Sequence, residues 1–385
     1  WQLETTSSNT QFGHSFNAWG DHMLVSNSNH IFEEVVAASY LKRNPSLSEA
    51  EATEILSDHS AAAEVFPITK NPQMQLLTDI GVITSACGLT EYLGGSFPKP
   101  YDNASFVCEP VSNLVHADRI SDKGATHVAS RIQEHSEFLA STDPWSRPVN
   151  LYVGPDGALY VVDYYRQIIE HPEWMGEEVV KSGQLYNGHD MGRIYRISTT
   201  DGKPAAWTKG LTLGNESSAD LVKHLYDPNA WWRLNAQRLL VDRKDMGVVP
   251  ALIDMTSTQE SPLARLHALW TLEGMGALRK EQVIAALKDA EPGVRRNAIK
   301  LSEPFLQDAA MQDALLAMAG DADAKVRFQL LCTLGSIETD QAFRIRKQLL
   351  FRDMNDKWVQ VAALSGPSSQ TASLLNVVTD SFRSD

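Results

Sequence analysis

Apolar residues in the first half of the chain fall into short runs separated by polar stretches. The clearest of these runs cover residues 22–36, 104–118 and 149–165. In the last run, Pro155, Asp156 and Gly157 separate two apolar segments and predict the turn of a β-hairpin. Residues 46–60 carry a helix-like pattern. The other runs favour an all-β sandwich or the blades of a propeller.

The second half of the chain has a helical period from about Leu221 onward, with apolar residues at i, i+3, i+4 and i+7. Arginines recur in these helices at separations of 32, 30 and 32 residues: Arg233, Arg265, Arg295 and Arg327. An Asp precedes three of them by six residues: Asp227, Asp289 and Asp321. A solvated helix face would explain the charges but not their register. The repeat resembles HEAT-like helical pairs, in which stacked neighbours bury a common face. We therefore expect Asp and Arg to bond along the stack, with Trp232 and Val294 buried between pairs.

Length and charge limit the classes of protein to which this sequence can belong. A chain of 385 residues exceeds what one hydrophobic core usually organises, which predicts two domains or one domain with a repeat array. Its 34 basic and 48 acidic residues give a net charge of -14, which argues against nucleic-acid binding. No apolar run has the length of a transmembrane helix. The start lacks an initiator Met and the features of a secretory signal, so we expect the chain to be the middle of a longer protein.

Motifs of several common enzyme classes are absent from the sequence. It has no phosphate-binding loop, no H-E-x-x-H, no G-x-S-x-G and no G-x-G-x-x-G after a strand. It also lacks C-x-x-C and C-x-x-C-H, so neither a zinc knuckle nor covalently attached haem is encoded.

The three cysteines leave the redox compartment open. Cys87 and Cys108 either form a disulfide or stay reduced and buried, and their number does not decide between the two. Cys332 lies among apolar residues of a repeat helix, which predicts an inert core position.

The densest group of polar residues lies between residues 146 and 197, at the expected ends of strands. Its members are Arg147, Asp163, Tyr164, Arg166, Glu170, His171, Asp190 and Arg193. Loops at strand ends often carry function, so the group indicates an anion-binding or carbonyl-handling surface. The simpler interpretation of single members is structural: Asp163 closes a turn and Arg193 pairs with it.

A second polar group, residues 13–30, contains several His and Asn residues. Its histidine spacing matches no standard zinc pattern, and such residues often stabilise turns. We take His14 as the best candidate for a general base and the other residues of the group as scaffold.

Several segments together resemble a known family. They are GHSFNAWGDHMLVSNSNHI, TSACGLTEYLGG, FVCEPVSNLVH, RPVNLYVGPDGALYVVDYYRQIIEHP, GRIYRI, WWRLNAQRLLVDR and ARLHALWTLEGMGAL. Their order is similar to that in bacterial proteins described as membrane-bound dehydrogenases, which resemble the quinoprotein glucose and sorbosone dehydrogenases. The resemblance implies a multidomain β plus α protein. Residues 1–200 would form the C-terminal blades of a six-bladed-type β-propeller, 201–214 a linker and 215–385 a HEAT/armadillo-like α-solenoid.

The resemblance also implies a chemistry, an exported quinoprotein-type dehydrogenase that oxidises a sugar or alcohol hydroxyl and passes electrons to a cytochrome c domain or protein. Pyrroloquinoline quinone and calcium would be its cofactors. Arg147, Asp163, Arg166 and Arg193 would bind them, and His14 would be the catalytic base. A periplasmic or cell-envelope location would agree with a Cys87–Cys108 bridge. The alternative is a non-catalytic propeller and solenoid scaffold that binds carbohydrate or a protein partner.

Overall fold

The computed structural model describes residues 8–47, 52–69, 80–200 and 211–383. Antiparallel sheets make up the first half of these residues and helices the second, which confirms the predicted β plus α organisation. Most of the predicted linker, residues 201–210, lies outside the described residues.

Twelve strands in the described residues form three antiparallel sheets that do not close on one another. The first sheet contains, in order, β1 (His14–Phe16), β2 (His22–Ser26), β3 (Asn29–Glu34) and β4 (Thr53–Ile55). The second contains β5 (Cys87–Glu91), β6 (Ala104–Glu109), β7 (Leu114–Lys123) and β8 (Thr126–Arg131), with β9 (Leu139–Ala140) paired to β7. The third contains β10 (Pro148–Val153), β11 (Leu159–Asp163) and β12 (Arg193–Ile197).

The hairpin predicted around Pro155–Gly157 is confirmed, since β10 and β11 pair in antiparallel register across this turn. Gly157 has a φ of 75°, a conformation that glycine adopts without strain. The helix-like pattern at residues 46–60 was misleading, because Thr53–Ile55 form a strand. Pairing of β4 with β3 outweighs the local propensity there.

Cys87 and Cys108 are register partners on β5 and β6. Both are buried free thiols, so the bridge implied by the resemblance is not present in the structure. Burial raises the pKa of Cys87 to about 12. Cys332 is completely buried, as predicted for a core residue.

Helices are short in the first half and continuous in the second. The first half contains α1 (Ala38–Leu41) and α2 (Glu177–Ser182). The second begins with α3 (Ser218–His224), α4 (Ala230–Arg243), α5 (Val249–Thr258), α6 (Pro262–Gly274), α7 (Lys280–Ala286) and α8 (Pro292–Leu301). It continues with α9 (Ala309–Leu316), α10 (Ala324–Leu334), α11 (Asp340–Arg352), α12 (Lys357–Leu364) and α13 (Ser368–Arg383). Among the described residues, none of these helices has the length and apolar character needed to cross a bilayer.

The repeated arginines occupy equivalent places on every second helix, α4, α6, α8 and α10, as predicted. Arg295 shows the pattern: Nε and Nη2 each donate to the Asp321 carboxylate at 2.8 Å. Its Nη1 donates to the carbonyl oxygens of Asp289 and Ala290, at 2.8 and 3.0 Å. Two further pairs, Arg265–Asp289 and Arg327–Asp353, repeat this arrangement. The predicted Asp–Arg bonding along the stack is therefore confirmed.

The helical half is docked against the β-rich half. The ring of Trp19 lies against Gly293 on α8, so closely that a Cβ at Gly293 would lie 2.2 Å from the ring. Arg296 pairs with Asp21 at 2.8 Å beside this contact. Trp232 is half-buried and donates from Nε1 to the Pro155 carbonyl oxygen at 2.8 Å. The expectation that it is buried between helix pairs was therefore wrong, whereas Val294 is fully buried as predicted.

Candidate functional site

The structure brings Arg147 and Asp163 together at one end of the third sheet. Asp163 is the last residue of β11, and the predicted delivery of this carboxylate to the strand end is confirmed. Its carboxylate accepts hydrogen bonds from the backbone N–H groups of Arg147 and Tyr165, at 2.7 and 2.9 Å, and from the Ser146 hydroxyl at 3.1 Å. Asp163 therefore links the residues just before β10 to the start of the loop that follows β11.

The Arg147 side chain is buried, and its donors point at backbone carbonyl oxygens. Nη1 donates to Pro110 at 2.8 Å, Nη2 to Gln167 at 2.9 Å and Nε to Arg166 at 3.1 Å. Burial lowers the pKa of Arg147 to about 10, against the opposing effect of Asp163. The guanidinium group ties the loop after β11 to the neighbouring sheet.

Arg166 and Arg193 have contacts of the same structural kind. Arg166 donates from Nη1 to the Gly188 carbonyl oxygen at 2.6 Å and lies over the Tyr164 ring at 4.3 Å. Arg193 lies over the Tyr165 ring at 3.9 Å. These arginines hold the loop between β11 and β12 in place.

This corner does not fit a quinone or a calcium ion. The Asp163 carboxylate is directed at N–H and O–H donors, and the Arg147 donors are directed at backbone oxygens. A quinone carboxylate or a cation would have to displace these bonds within a buried region. Assignment of pyrroloquinoline quinone and calcium to these residues stays a prediction without support from the contacts.

His14 lies at the start of β1, where it is exposed and forms one end of a hydrogen-bonded chain. Its Nδ1 is 3.0 Å from Nε2 of His22, and Nδ1 of His22 is 2.9 Å from the Glu34 carboxylate. Strand register places Glu34 directly opposite His22, whereas His14 is opposite Leu24 and contacts His22 diagonally. Phe16 also stacks on the His22 ring at 4.6 Å.

These contacts determine which nitrogen of each imidazole carries its proton when both rings are neutral. Glu34 accepts from Nδ1–H of His22, so the His22 Nε2 lone pair accepts from Nδ1–H of His14. Nε2 of His14 then carries the remaining lone pair. A carboxylate that orients an imidazole is an arrangement typical of general bases.

A cleft of about 550 Å³ opens beside His14, between β1, β5, β10 and the start of α4. Polar and aromatic side chains line it together: His14, Glu91, Asn150, Tyr152, Trp231 and Asn235. Burial raises the pKa of Glu91 to about 7. The cleft therefore presents a base, a carboxyl group with a pKa near neutral pH, amides and aromatic rings.

A second cavity of about 440 Å³ shares Phe16, Leu93, Ala230 and Leu234 with this cleft. Arg233 and Lys300 line it and add positive charge. Burial lowers the pKa of Lys300, assisted by the charge of Arg296, but Asp21 opposes that effect.

A cluster of three histidines and one aspartate was missed at the sequence level. His30 lies on β3, His59 follows β4, and both His116 and Asp118 lie on β7. Their ligand atoms all lie within 4.8 Å of one another. Burial opposes charge on His116, but bonds to Asp118 and Glu137 raise its pKa to about 9. The one local signal was the His-x-Asp spacing, which places both side chains on the same face of a strand.

Another cluster of possible metal ligands, Asp21, Glu33 and His127, lies at the junction between the two halves. Arg296 donates to Asp21 at 2.8 Å, and Thr126 donates to Glu33 at 2.6 Å. His127 lies 3.0 Å from Glu33. These bonds make the group an internal ion-pair network that joins the halves.

Comparison with known proteins gives a family without a described activity. Residues 1–201 match the family described as "Domain of unknown function (DUF7133)". No curated protein matches the chain.

Proposed function

We propose that this chain, which belongs to the DUF7133 family, binds a sugar or another hydroxylated ligand in the cleft beside His14 and removes a proton from one of its hydroxyl groups. The observation that carries the proposal is the chain of contacts from Glu34 through His22 to His14 at that cleft. An oriented imidazole with one lone pair available is suited to accept a hydroxyl proton. Proton removal is one half of an alcohol dehydrogenation, the reaction of the dehydrogenases that the sequence resembles.

The lining of the cleft supports a carbohydrate. The rings of Tyr152 and Trp231 offer apolar faces for the C–H surface of a sugar, and Asn150 and Asn235 offer amide donors and acceptors. Positive charge from Arg233 and Lys300 in the adjoining cavity favours a sugar that carries a carboxylate.

The proposal includes the architecture and setting that the resemblance implies. Three meandering sheets in sequence are compatible with blades of a six-bladed-type propeller, and the Arg–Asp ladder is compatible with HEAT-like repeats. An exported location and a cytochrome partner belong to the same proposal. We do not place the group that accepts the hydride beside Arg147 and Asp163.

The test combines binding with turnover on the full chain. Glucose, a sugar alcohol and glucuronic acid are titrated in a calorimeter, and dye reduction is then followed with pyrroloquinoline quinone and calcium added. We expect His14→Ala to keep ligand binding but to lower kcat roughly 10²–10⁴-fold. His22→Ala should lower kcat less and shift the acidic limb of the pH profile, because His22 positions the base.

His171→Ala is the matched control, since that side chain is 63% exposed and lies outside the cleft. Full activity in the His14→Ala variant would overturn the assignment of the base. Absence of binding for all three ligands would overturn the cleft itself.

The second candidate function is a non-catalytic scaffold, favoured by one observation. Arg147, Arg166 and Asp163 serve the fold through their backbone contacts, which leaves the chain without a quinone site at the predicted place. Ligand binding in the cleft with no dye reduction in the wild-type protein would support this function instead.

A further inference from the structure

We propose that His30, His59, His116 and Asp118 bind one divalent transition-metal ion with the nitrogen and oxygen preference of zinc. The site is separate from the cleft beside His14, because none of its four residues lines that cleft. The inference rests on the positions of the ligand atoms, on what holds the other side of each ring and on the local charge.

The ligand atoms are spaced like the corners of a small coordination polyhedron. Nε2 of His30 is 3.0 Å from Oδ2 of Asp118, and Nε2 of His116 is 3.2 Å from Oδ1 of Asp118. Nε2 of His59 is 3.3 Å from Nε2 of His116. Zinc bonds of about 2.0–2.1 Å in a tetrahedron place neighbouring ligand atoms about 3.3 Å apart. The observed spacing leaves room for such an ion.

Each imidazole is held through its other nitrogen by a hydrogen-bond acceptor. Nδ1 of His30 lies 2.8 Å from the Ala61 carbonyl oxygen, and Nδ1 of His59 lies 2.9 Å from Asp58. Nδ1 of His116 lies 2.7 Å from Glu137. These acceptors hold a proton on each Nδ1, so Nε2 is the nitrogen that would bind a metal ion after releasing any proton of its own. This is the outer arrangement that metal-binding histidines usually have.

The Nε2 atoms of His59 and His116 face each other at 3.3 Å. Without an ion, a proton on Nε2 of His116 can bond to Asp118 or to His59. A divalent cation between the two nitrogens would replace this proton and bind both lone pairs. Asp118 can then bind the same cation through its carboxylate.

The surrounding charge is suited to a divalent ion. Asp58, Asp118 and Glu137 carry three negative charges, and Arg131 offsets one through its contact with Glu137 at 3.3 Å. Two positive charges with three neutral imidazoles would balance the remainder.

The ligands lie on elements that are rigidly connected. His30 and His116 belong to strands of different sheets, and Asp58, next to His59, donates its backbone N–H to the Ala129 carbonyl oxygen at 3.0 Å. The His59 side chain is 18% exposed, whereas Asp118 and His116 are 2% and 1% exposed. An ion would therefore enter from the side of His59. With four protein ligands, it would act chiefly as a structural link between the first two sheets.

The experiment uses the full chain, freed of metal with a chelator and titrated with Co²⁺ and then Zn²⁺. We expect one equivalent of Co²⁺ to produce the strong visible absorption of a four-coordinate site, and Zn²⁺ to displace it. Metal should also raise the Tm. His59→Ala is expected to weaken binding at least 100-fold, and Asp58→Asn, which retains every ligand, about 10–100-fold.

His171→Ala serves as the control and should bind like the wild-type protein. Circular dichroism establishes that each variant is folded before titration, and Asp58→Asn provides the test if His59→Ala is unfolded. The site would be refuted by no stoichiometric binding of either ion, or by equal affinity in His59→Ala, Asp58→Asn and the control. Because these measurements need no substrate, their outcome is independent of activity in the cleft.

Discussion

Single residues in this protein show how burial decides the role of a charge. Arg147 and Glu91 are both buried, but Arg147 has backbone oxygens around its guanidinium group, whereas Oε1 of Glu91 has no partner among the described residues. A buried carboxylate without a partner is costly when ionised. Arg147 therefore stabilises the fold, and Glu91 is a group that the cleft holds at a cost in stability.

Glu91→Gln should make stability less dependent on pH. Burial raises the Glu91 pKa from 4.5 to about 7, so between these values the folded state binds a proton that the unfolded state has released. Stability contributed by this proton is lost as pH rises through that window. At pH 8 the variant should be more stable than the wild type by about 2–3 kcal/mol. At pH 4.5 the two should be nearly equal.

Urea unfolding at the two pH values measures both differences. If the variant and the wild type differed in free energy of unfolding by the same amount at pH 4.5 and pH 8, the raised pKa of Glu91 would be contradicted.

Cys87 and Cys108 provide a residue-scale test of the proposed export. Opposed residues of an antiparallel pair lie within disulfide reach, and a bridge here would stabilise the fold by about 3 kcal/mol. We expect protein secreted into an oxidising compartment to contain the bridge. Mass measurement with and without reductant decides this, and two free thiols in the secreted protein would argue against export.

At the scale of elements, the Arg–Asp ladder joins successive helix pairs and has one incomplete step. The residue six positions before Arg265 is Gln259, where the later repeats have Asp289 and Asp321. Arg233 would bond to this position, and its Nε has no hydrogen-bond partner among the described residues. Burial lowers the Arg233 pKa, although Asp227 opposes this.

Gln259→Asp should therefore stabilise the protein by completing the ladder. A bidentate pair with Arg233 would add charge-assisted bonds, and we expect the free energy of unfolding to rise by about 1–2 kcal/mol. Chemical denaturation measures the gain. In an Arg233→Leu background the same substitution should bring no gain, and a gain that persists there would refute the pairing.

At the scale of the whole molecule, the β-rich and helical halves support each other. Trp19 against Gly293, Arg296 with Asp21 and Lys325 with Asp122 connect the first two sheets to α8 and α10. The helical face that a free solenoid would offer to partners is in part used for this docking. A scaffold function would therefore have to use surfaces other than this one.

Gly293→Val should disrupt the docking, because the new Cβ would overlap the Trp19 ring. We expect a loss of stability of about 1–3 kcal/mol and a change in tryptophan fluorescence. Gly320→Ala is the control, since nothing lies within 4 Å of a Cβ there. Equal stability of Gly293→Val and the wild-type protein would show that the halves are not held by this contact.

The local sequence pattern was sufficient to predict the structure wherever neighbours in sequence are also neighbours in space. The hairpin at Pro155–Gly157 and the positions of Arg265 and Arg295 on alternate helices follow from turn chemistry and from a repeat of constant length. The strand at Thr53–Ile55 does not, because its pairing with β3 is a tertiary contact.

Tertiary structure alone decided the chemistry of the polar residues. Nothing in the sequence distance between His30, His59 and His116 indicates that their nitrogens converge, because the convergence depends on how two sheets pack. Arg147 looked like a ligand-binding residue because its residue type often is one, and only the carbonyl oxygens around it show a structural role. Period and turn signals are local and survive in the linear chain, whereas the partners of a buried polar group come from distant segments and exist only once the chain has folded.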